Sequence, residues 1–271
     1  MKQRSAALPL RVAVLVAALV LAGCAAGVMP RITSETERLE EARKQARQRD
    51  WINAIDLLKA YIDRNAGSAE VDEAIYLLGT CYLGAKEFPN AAGEFERLLR
   101  DFPESDSAAS ASFRLGEALF GQARPPDFDP EFTHKALDQW ERYRREFPGH
   151  WLQDEADRRI ADCRVRLAKK MLDTANLYFK LRQVEPARVY YKRLEAEYAD
   201  TPLLGDAIIG VARCDAAVGR TAEAVSYLKD VELMFKGQPL GERAERERQR
   251  IERMGNVKPP KKTHVIQEPP R

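Results

Sequence analysis

Five times along the chain an alanine opens a phrase whose later landmarks fall at fixed distances. Ala54, Ala91, Ala136, Ala187 and Ala224 are followed four residues on by Leu58, Phe95, Trp140, Tyr191 and Leu228. Seven residues on come Tyr61, Leu98, Tyr143, Leu194 and Val231, and eleven on come Asn65, Phe102, Phe147, Tyr198 and Phe235. Offsets of 0, 4, 7 and 11 lie on one side of an α-helix, so the spacing predicts five amphipathic helices of one design. Pro103 and Pro148 follow the last landmark directly and Pro202 comes slightly later, each a helix stop. No stretch of any length alternates with period two, so strands are not expected. The alanines stand 37, 45, 51 and 37 residues apart, so two units are of one length and two carry insertions.

A second helix precedes each of these. It is clearest as Ile75-x-x-Leu78-Gly79-x-x-Tyr82, twelve residues ahead of Ala91, and the small residue at Gly79 recurs as Ala42, Gly116, Ala175 and Ala212. A small side chain there lets the two helices approach closely. The combination resembles the tetratricopeptide repeat. The expected fold is all-α, a right-handed α-solenoid of about five tetratricopeptide-like helix pairs, in which stacking makes one continuous core. An unrelated bundle of amphipathic helices is the alternative. The third unit has its insertion at residues 122–130, which hold Pro125, Pro126 and Pro130. The fourth has a long first helix from near Trp151 towards Lys180, and the fifth turns at Gly219.

The first 23 residues differ from the rest. Lys2, Arg4 and Arg11 precede Val12 to Ala22, an unbroken run of eleven small or aliphatic residues. That run is too short for a bilayer span of about 20 residues. It closes in Leu21-Ala22-Gly23-Cys24, which resembles the lipobox of bacterial lipoproteins. The resemblance makes Cys24 the lipidated first residue, with palmitate among its acyl chains, whose buried methylenes at about 0.8 kcal/mol each would hold the chain to a membrane. Ala25 stands where inner-membrane lipoproteins typically carry Asp, which favours the outer membrane, facing the periplasm. An ordinary signal peptide that happens to contain a cysteine is the alternative.

Charge and composition exclude other classes. The chain has 44 basic and 42 acidic residues; without the three basic residues of the leader the balance is 41 against 42, so nothing favours nucleic acid as a partner. Only His134, His150 and His264 are present, and no H-E-x-x-H, G-x-S-x-G or Gly-rich phosphate loop occurs. After lipidation Cys81, Cys163 and Cys214 remain; Cys81 and Cys214 fall two residues after small packing positions and read as buried hydrophobes, oxidation of a pair is the alternative, and scattered single Cys and His do not suggest a metal site. Asp127 and Asp129 read as turn and cap residues. Neither an enzyme, a metal nor a cofactor is expected.

In a repeat of this kind the first helices line a concave side. Their inward positions would be Leu39, Tyr76, Phe113, Leu172 and Ile209, then Arg43, Thr80, Glu117, Asn176 and Arg213, then Ala46, Leu83, Phe120, Phe179 and Ala216. So many apolar side chains on one face suggest a groove for an extended hydrophobic or aromatic peptide. Its expected contacts are Tyr76, Leu83, Phe113 and Phe120, with Arg43 or Arg114 as carboxylate partner. Packing of adjacent first helices on one another would cover the same residues. The expected organisation is a lipoprotein signal peptide (1–23), a lipidated tether (24–34), the repeat domain (35–240), then a charged helix and a Pro-rich disordered tail (241–271).

Lipobox and five repeat units, with an inserted third and an extended fourth, resemble the BamD family of outer-membrane lipoproteins from Cys24 to about Phe235. The stretches that carry the resemblance are Phe88-Pro89-Asn90-Ala91-Ala92 with Phe95 and Phe102-Pro103, Asp129 to Tyr143 with Phe147-Pro148, and Ala168 to Tyr198 with the closing Glu197-Tyr198-Ala199-Asp200-Thr201-Pro202. The resemblance implies a scaffold of the β-barrel assembly machinery. It would receive unfolded outer-membrane proteins and dock on a BamA-like barrel protein and on other assembly-complex lipoproteins. The third-unit loop lacks the family's Arg-Asp pattern, and Arg38 and Gln45 occupy expected packing positions of the first unit, so no charged BamA contact is carried over. A pilotin-like lipoprotein serving a secretin or type IV pilus, and an envelope enzyme or its regulatory subunit, are the other readings. Replacing Cys24 by Ser should release the protein into the soluble fraction of lysed cells; unchanged membrane association would remove the anchor.

Overall fold

The computed structural model describes residues 34–125 and 128–255. The leader, Cys24, Pro126, Asp127, His264 and the Pro-rich tail, with the expectations attached to them, lie outside the described residues. The described residues form eleven helices: α1 (Glu35–Arg47), α2 (Trp51–Arg64), α3 (Val71–Gly84), α4 (Phe88–Asp101), α5 (Ala108–Gly121), α6 (Glu131–Glu146), α7 (Gln153–Lys180), α8 (Val184–Glu197), α9 (Leu204–Ala217), α10 (Thr221–Met234) and α11 (Pro239–Gly255). Each helix packs on the next in sequence, and first helices also touch first helices: α1 with α3, α3 with α5, α7 with α9, α9 with α11. This is an α-solenoid of five helix pairs closed by an eleventh helix.

The alanines and the residues four and seven positions on are all buried, from Ala54, Leu58 and Tyr61 to Ala224, Leu228 and Val231. The eleventh position plays another part. Asn65, Phe102, Phe147, Tyr198 and Phe235 are each the C-cap of their helix, and each gives its backbone N–H to the carbonyl four residues back. The eleventh position is thus a stop as well as part of the apolar face, since Tyr198 is buried and Phe102, Phe147 and Phe235 pack against the core.

The small positions explain the pairing. A Cβ added at Gly79 would meet the Phe95 ring at 2.7 Å, and one at Gly116 would overlap the Trp140 indole. Where the residue on the second helix is only Leu, as at Leu58 and Leu228, the first helix carries Ala42 and Ala212, both fully buried. Tyr191 lies instead against the next unit, where a Cβ on Gly210 would come within 2.5 Å of its ring.

Four units turn from first to second helix in three residues. The middle one is left-handed in each: Arg49, Lys86 and Arg182 at φ 62° and Gly219 at φ 87°. The N–H groups of this residue and of the one after it close paired bonds to the helix end, such as Lys86 to Leu83 and Glu87 to Tyr82, which satisfies carbonyls the helix leaves open. The third unit instead spends residues 122–130 on this turn, within which Asp129 accepts from the Glu131 N–H.

The expected single continuous core is divided into four clusters of buried side chains. Leu119 and Phe147 border both the first and second, and Tyr227 borders both the third and fourth. One of these divisions, between the second and fourth clusters, falls within α7. This 28-residue helix packs its first half, through Ala156, Ile160 and Cys163, into one cluster, and its second half, through Ala175, into another. Helix α11 begins before the expected boundary at residue 240 and packs on α9 and α10 through Ala244, Glu247 and Ile251. Of its other charged residues, Arg243 pairs with Asp206 of α9 and Arg248 with Glu232 of α10, while Glu242, Glu245, Arg246, Arg250 and Arg253 are exposed, as a terminal cap requires.

An exposed mid-helix glycine replaced by alanine gains up to about 1 kcal/mol. Gly93, where a Cβ meets nothing within 4 Å, should follow that rule. Gly79→Ala and Gly116→Ala should instead lower the thermal midpoint, and calorimetry showing stabilisation at all three would contradict the ring-on-glycine contact.

Candidate polypeptide-binding face

Of the residues expected to line the groove, Tyr76, Leu83, Arg114 and Phe120 are partly exposed and Phe113 is not. Phe113 is 1% exposed and belongs to the core. Trp140 lies 6.3 Å away, Tyr143 meets it edge-on at 5.6 Å, and the Trp140 Nε1–H donates to the Phe113 carbonyl at 3.1 Å. Tyr76 occupies the same place in its own helix but faces the smaller Phe95 at 6.0 Å, so part of its ring reaches the surface. Leu39 and Ile209, at the same place again, are buried. Phe120 sits beside Trp140 at 5.9 Å with the Arg166 guanidinium 5.4 Å from its ring centroid.

Both arginines considered as carboxylate partners already have partners. Arg43 makes two bonds to Glu73, of 3.1 and 2.6 Å, and a third to Glu40. Arg114 donates to Glu117 at 2.5 Å. Burial works against the Arg114 charge, but the Glu117 carboxylate and the Tyr76 hydroxyl outweigh it and raise its pKa. A peptide carboxylate would have to exchange with these internal acids.

Sequence reasoning missed Trp151. It stands between α6 and α7, 75% exposed, and lines a cleft of about 450 Å³ with Arg114, Glu117, Glu155 and Arg158. The signal was available, since Trp151 is a large aromatic outside the repeat landmarks and directly after a turn in which Gly149 takes φ 81°.

The inward positions of the last two units do converge. Leu172, Asn176 and Phe179 from α7 and Ile209 and Arg213 from α9 line one cleft of about 490 Å³, joined by Tyr191, Asp206, Gly210 and Arg243. The Tyr191 hydroxyl donates to Asn176 at 2.6 Å, and burial pushes its pKa up to about 12. Arg243 donates to Asp206 at 2.5 Å, and Arg213 makes bonds of 2.8 and 3.0 Å to Glu247 of α11. Leu172, Phe179 and Ile209 share the cleft with the paired charges of Asp206, Arg213 and Arg243, a mixed surface that can hold side chains and backbone.

The three described thiols are free and buried, and burial pushes Cys81, Cys163 and Cys214 up to about 11, 12 and 11. They are packing residues. His150 is a turn residue, bound at Nδ1 by the Tyr143 hydroxyl at 2.6 Å.

Helix pairs with a small-residue seam, first helices on one side and clefts lined by those helices define a tetratricopeptide-type solenoid. Residues 33–236 match the family described as outer membrane lipoprotein, YfiO, and the chain belongs to that family. No curated protein matches it significantly. Among solved structures it is similar to a TPR repeats protein of Bacteroides fragilis (13% identity, 82% of this chain and 100% of that one, TM-score 0.48). It is also similar to a thermophilic TPR protein of Thermus thermophilus (18%, 79% and 98%, TM-score 0.36) and to PilW, a type IV pilus biogenesis factor (13%, 78% and 98%, TM-score 0.38). None of these three likenesses adds a functional statement to the family match. Among the described residues no helix is long and apolar enough to cross a membrane.

The contact between this face and α11 is open to a pH test. Burial alone would raise the Glu247 pKa, but its bonds to Arg213 and the charges of Arg213 and Arg250 hold it below the ordinary carboxylate range. A lowered folded pKa contributes stability above the unfolded value, lost as pH falls through the folded one. Glu247→Gln should therefore melt below wild type at neutral pH, and the gap should close on acidification. A gap constant with pH would contradict the pairing.

Proposed function

We infer that this outer-membrane-family lipoprotein is a scaffold of β-barrel assembly, holding unfolded outer-membrane protein precursors on its first-helix face and docking on a BamA-like barrel protein. It acts by binding and not by catalysis. The observation that carries the reading is the run of partly exposed apolar side chains on consecutive first helices, Tyr76 and Leu83 on α3 and Phe120 on α5, in a chain of this family. An unfolded barrel strand offers alternate apolar side chains and free backbone N–H and C=O groups. Such a face answers both, with apolar area and with charged pairs that can exchange partners. The exposed Trp151 extends it, and a large rigid ring gives contact area at low entropic cost. Lipidation at Cys24 would hold the solenoid beside the membrane into which the barrels insert.

Tyr76→Ala combined with Phe120→Ala should weaken capture of a urea-unfolded barrel protein by roughly tenfold or more while leaving helical content unchanged. Phe113 is not a suitable probe, because removing it would open the core. Equal capture by wild type and variant would refute the reading of the face. Co-purification from detergent-solubilised membranes tests the partner: a barrel protein supports the proposal, and a secretin ring replaces it with the pilotin-like role.

A further inference from the structure

Three adjoining helices end at one edge of the last units. Helix α7 touches α9, and α9 touches α11. They run in register, since Lys180, Ala217 and Met254, each in the last turn of its helix, stand 37 residues apart. The Asp206–Arg243 pair, with the same separation in sequence, ties α9 to α11 in that register. At this edge Leu177, Leu181, Val218 and Met254 are between 42% and 62% exposed. None of the four lines the cleft between α7 and α9 or the cleft at Trp151.

The acids at this edge are already engaged. Arg220 holds Glu185 at 3.0 Å and Asp215 at 2.8 Å, and lies 3.6 Å from Glu223. Asp215 takes a second bond, of 2.7 Å, from Arg188, and Arg248 holds Glu252 at 3.0 Å. Lys180 and Arg182 are exposed and make no ion pair or hydrogen bond among the described residues. Arg253 is exposed and donates to the Gln249 carbonyl, which leaves its charge unanswered. The surplus at these helix ends is therefore positive. The sequence beyond Gly255, which continues from this same edge, adds Lys258, Lys261, Lys262 and Arg271 against Glu268 alone.

We propose that this edge rests on a membrane surface, with the four aliphatic side chains at the boundary of headgroups and acyl chains and Lys180 and Arg182 on anionic lipid phosphates. Separate aliphatic tips with cations between them suit a bilayer, because lipids rearrange around each tip. A folded partner would instead need one continuous complementary surface. Membership of an outer membrane lipoprotein family brings such a membrane within reach. Asn176 and Phe179 of the C-terminal cleft lie within about one turn of Lys180, so a polypeptide held there would lie beside the bilayer. The contact is separate from acylation at Cys24 and does not depend on polypeptide capture.

Vesicle flotation tests it with the chain from residue 24 onward carrying Cys24→Ser, so that no acyl chain contributes. The protein should float with vesicles of equimolar phosphatidylethanolamine and phosphatidylglycerol, and at least about tenfold more weakly with phosphatidylcholine alone. Lys180→Glu with Arg182→Glu, and separately Leu181→Ser with Val218→Ser, should each weaken binding to the anionic vesicles by about tenfold or more, with unchanged circular dichroism and unchanged capture of an unfolded barrel protein. Arg49→Glu with Lys86→Glu, at the corresponding turns of the first two units, should leave flotation unaltered. Absence of wild-type flotation, or equal flotation by wild type and both edge variants, would overturn the proposal. So would loss of all flotation on removing residues 256–271 alone, which would assign the binding to that segment. Unchanged flotation of Lys180→Glu with Arg182→Glu, together with loss of a co-purified barrel protein, would assign the edge to a protein partner instead.

Discussion

A large side chain four residues after the repeat alanine of each second helix can be buried only if the facing helix leaves room for it. Phe95 against Gly79 and Trp140 against Gly116 show the condition directly, because a single added carbon would overlap the rings. Where the large residue shrinks to leucine, the opposing glycine becomes alanine, as at Leu58 with Ala42 and Leu228 with Ala212. Close packing penalises both overfilling and voids, so the two positions are set together. This contact fixes how near the helices of a pair approach, and repetition of it arranges the first helices along one side of the solenoid.

The rest of the architecture manages the consequences of a stack. Caps at the eleventh position and left-handed turns at Arg49, Lys86, Arg182 and Gly219 keep each unit short. Helix α7 spans two clusters of the core and joins the halves of the molecule through one continuous backbone. The open end is closed by α11, which lies beyond the family match ending at residue 236. Its buried Ala244 and Ile251 cover apolar residues of α9 and α10, and its Glu247 pairs with Arg213 at the rim of the C-terminal cleft. End-capping and the shape of the candidate binding surface are thus coupled.

The repeat was legible in the sequence because period and small-residue spacing are local properties. The helix pairs, the long α7, the insertion before α6 and the burial of Cys81 and Cys214 all followed from them. What failed depended on residues distant in sequence. Tyr76 and Phe113 share a position in the repeat, but Phe113 is enclosed by Trp140 and Tyr143, 27 and 30 residues on, and no local pattern announces that. Arg43 is likewise occupied by Glu73, 30 residues on, a pairing that no local pattern marks. The docking stripe of α11 was present as Leu240, Ala244 and Ile251, but Glu247 interrupts it and made the helix read as solvated; the arginine that makes its burial tolerable lies 34 residues back.

The central claim is that the first helices hold the unfolded barrel precursor. Hydrogen–deuterium exchange of the full chain with and without an unfolded outer-membrane barrel protein tests this most directly. The account predicts slowed exchange in α3, α5, α7 and α9, at the turns of Tyr76, Phe120, Phe179 and Ile209, with α2, α8 and α10 unchanged. Slowed exchange confined to the second helices, or none despite demonstrated binding, would contradict it.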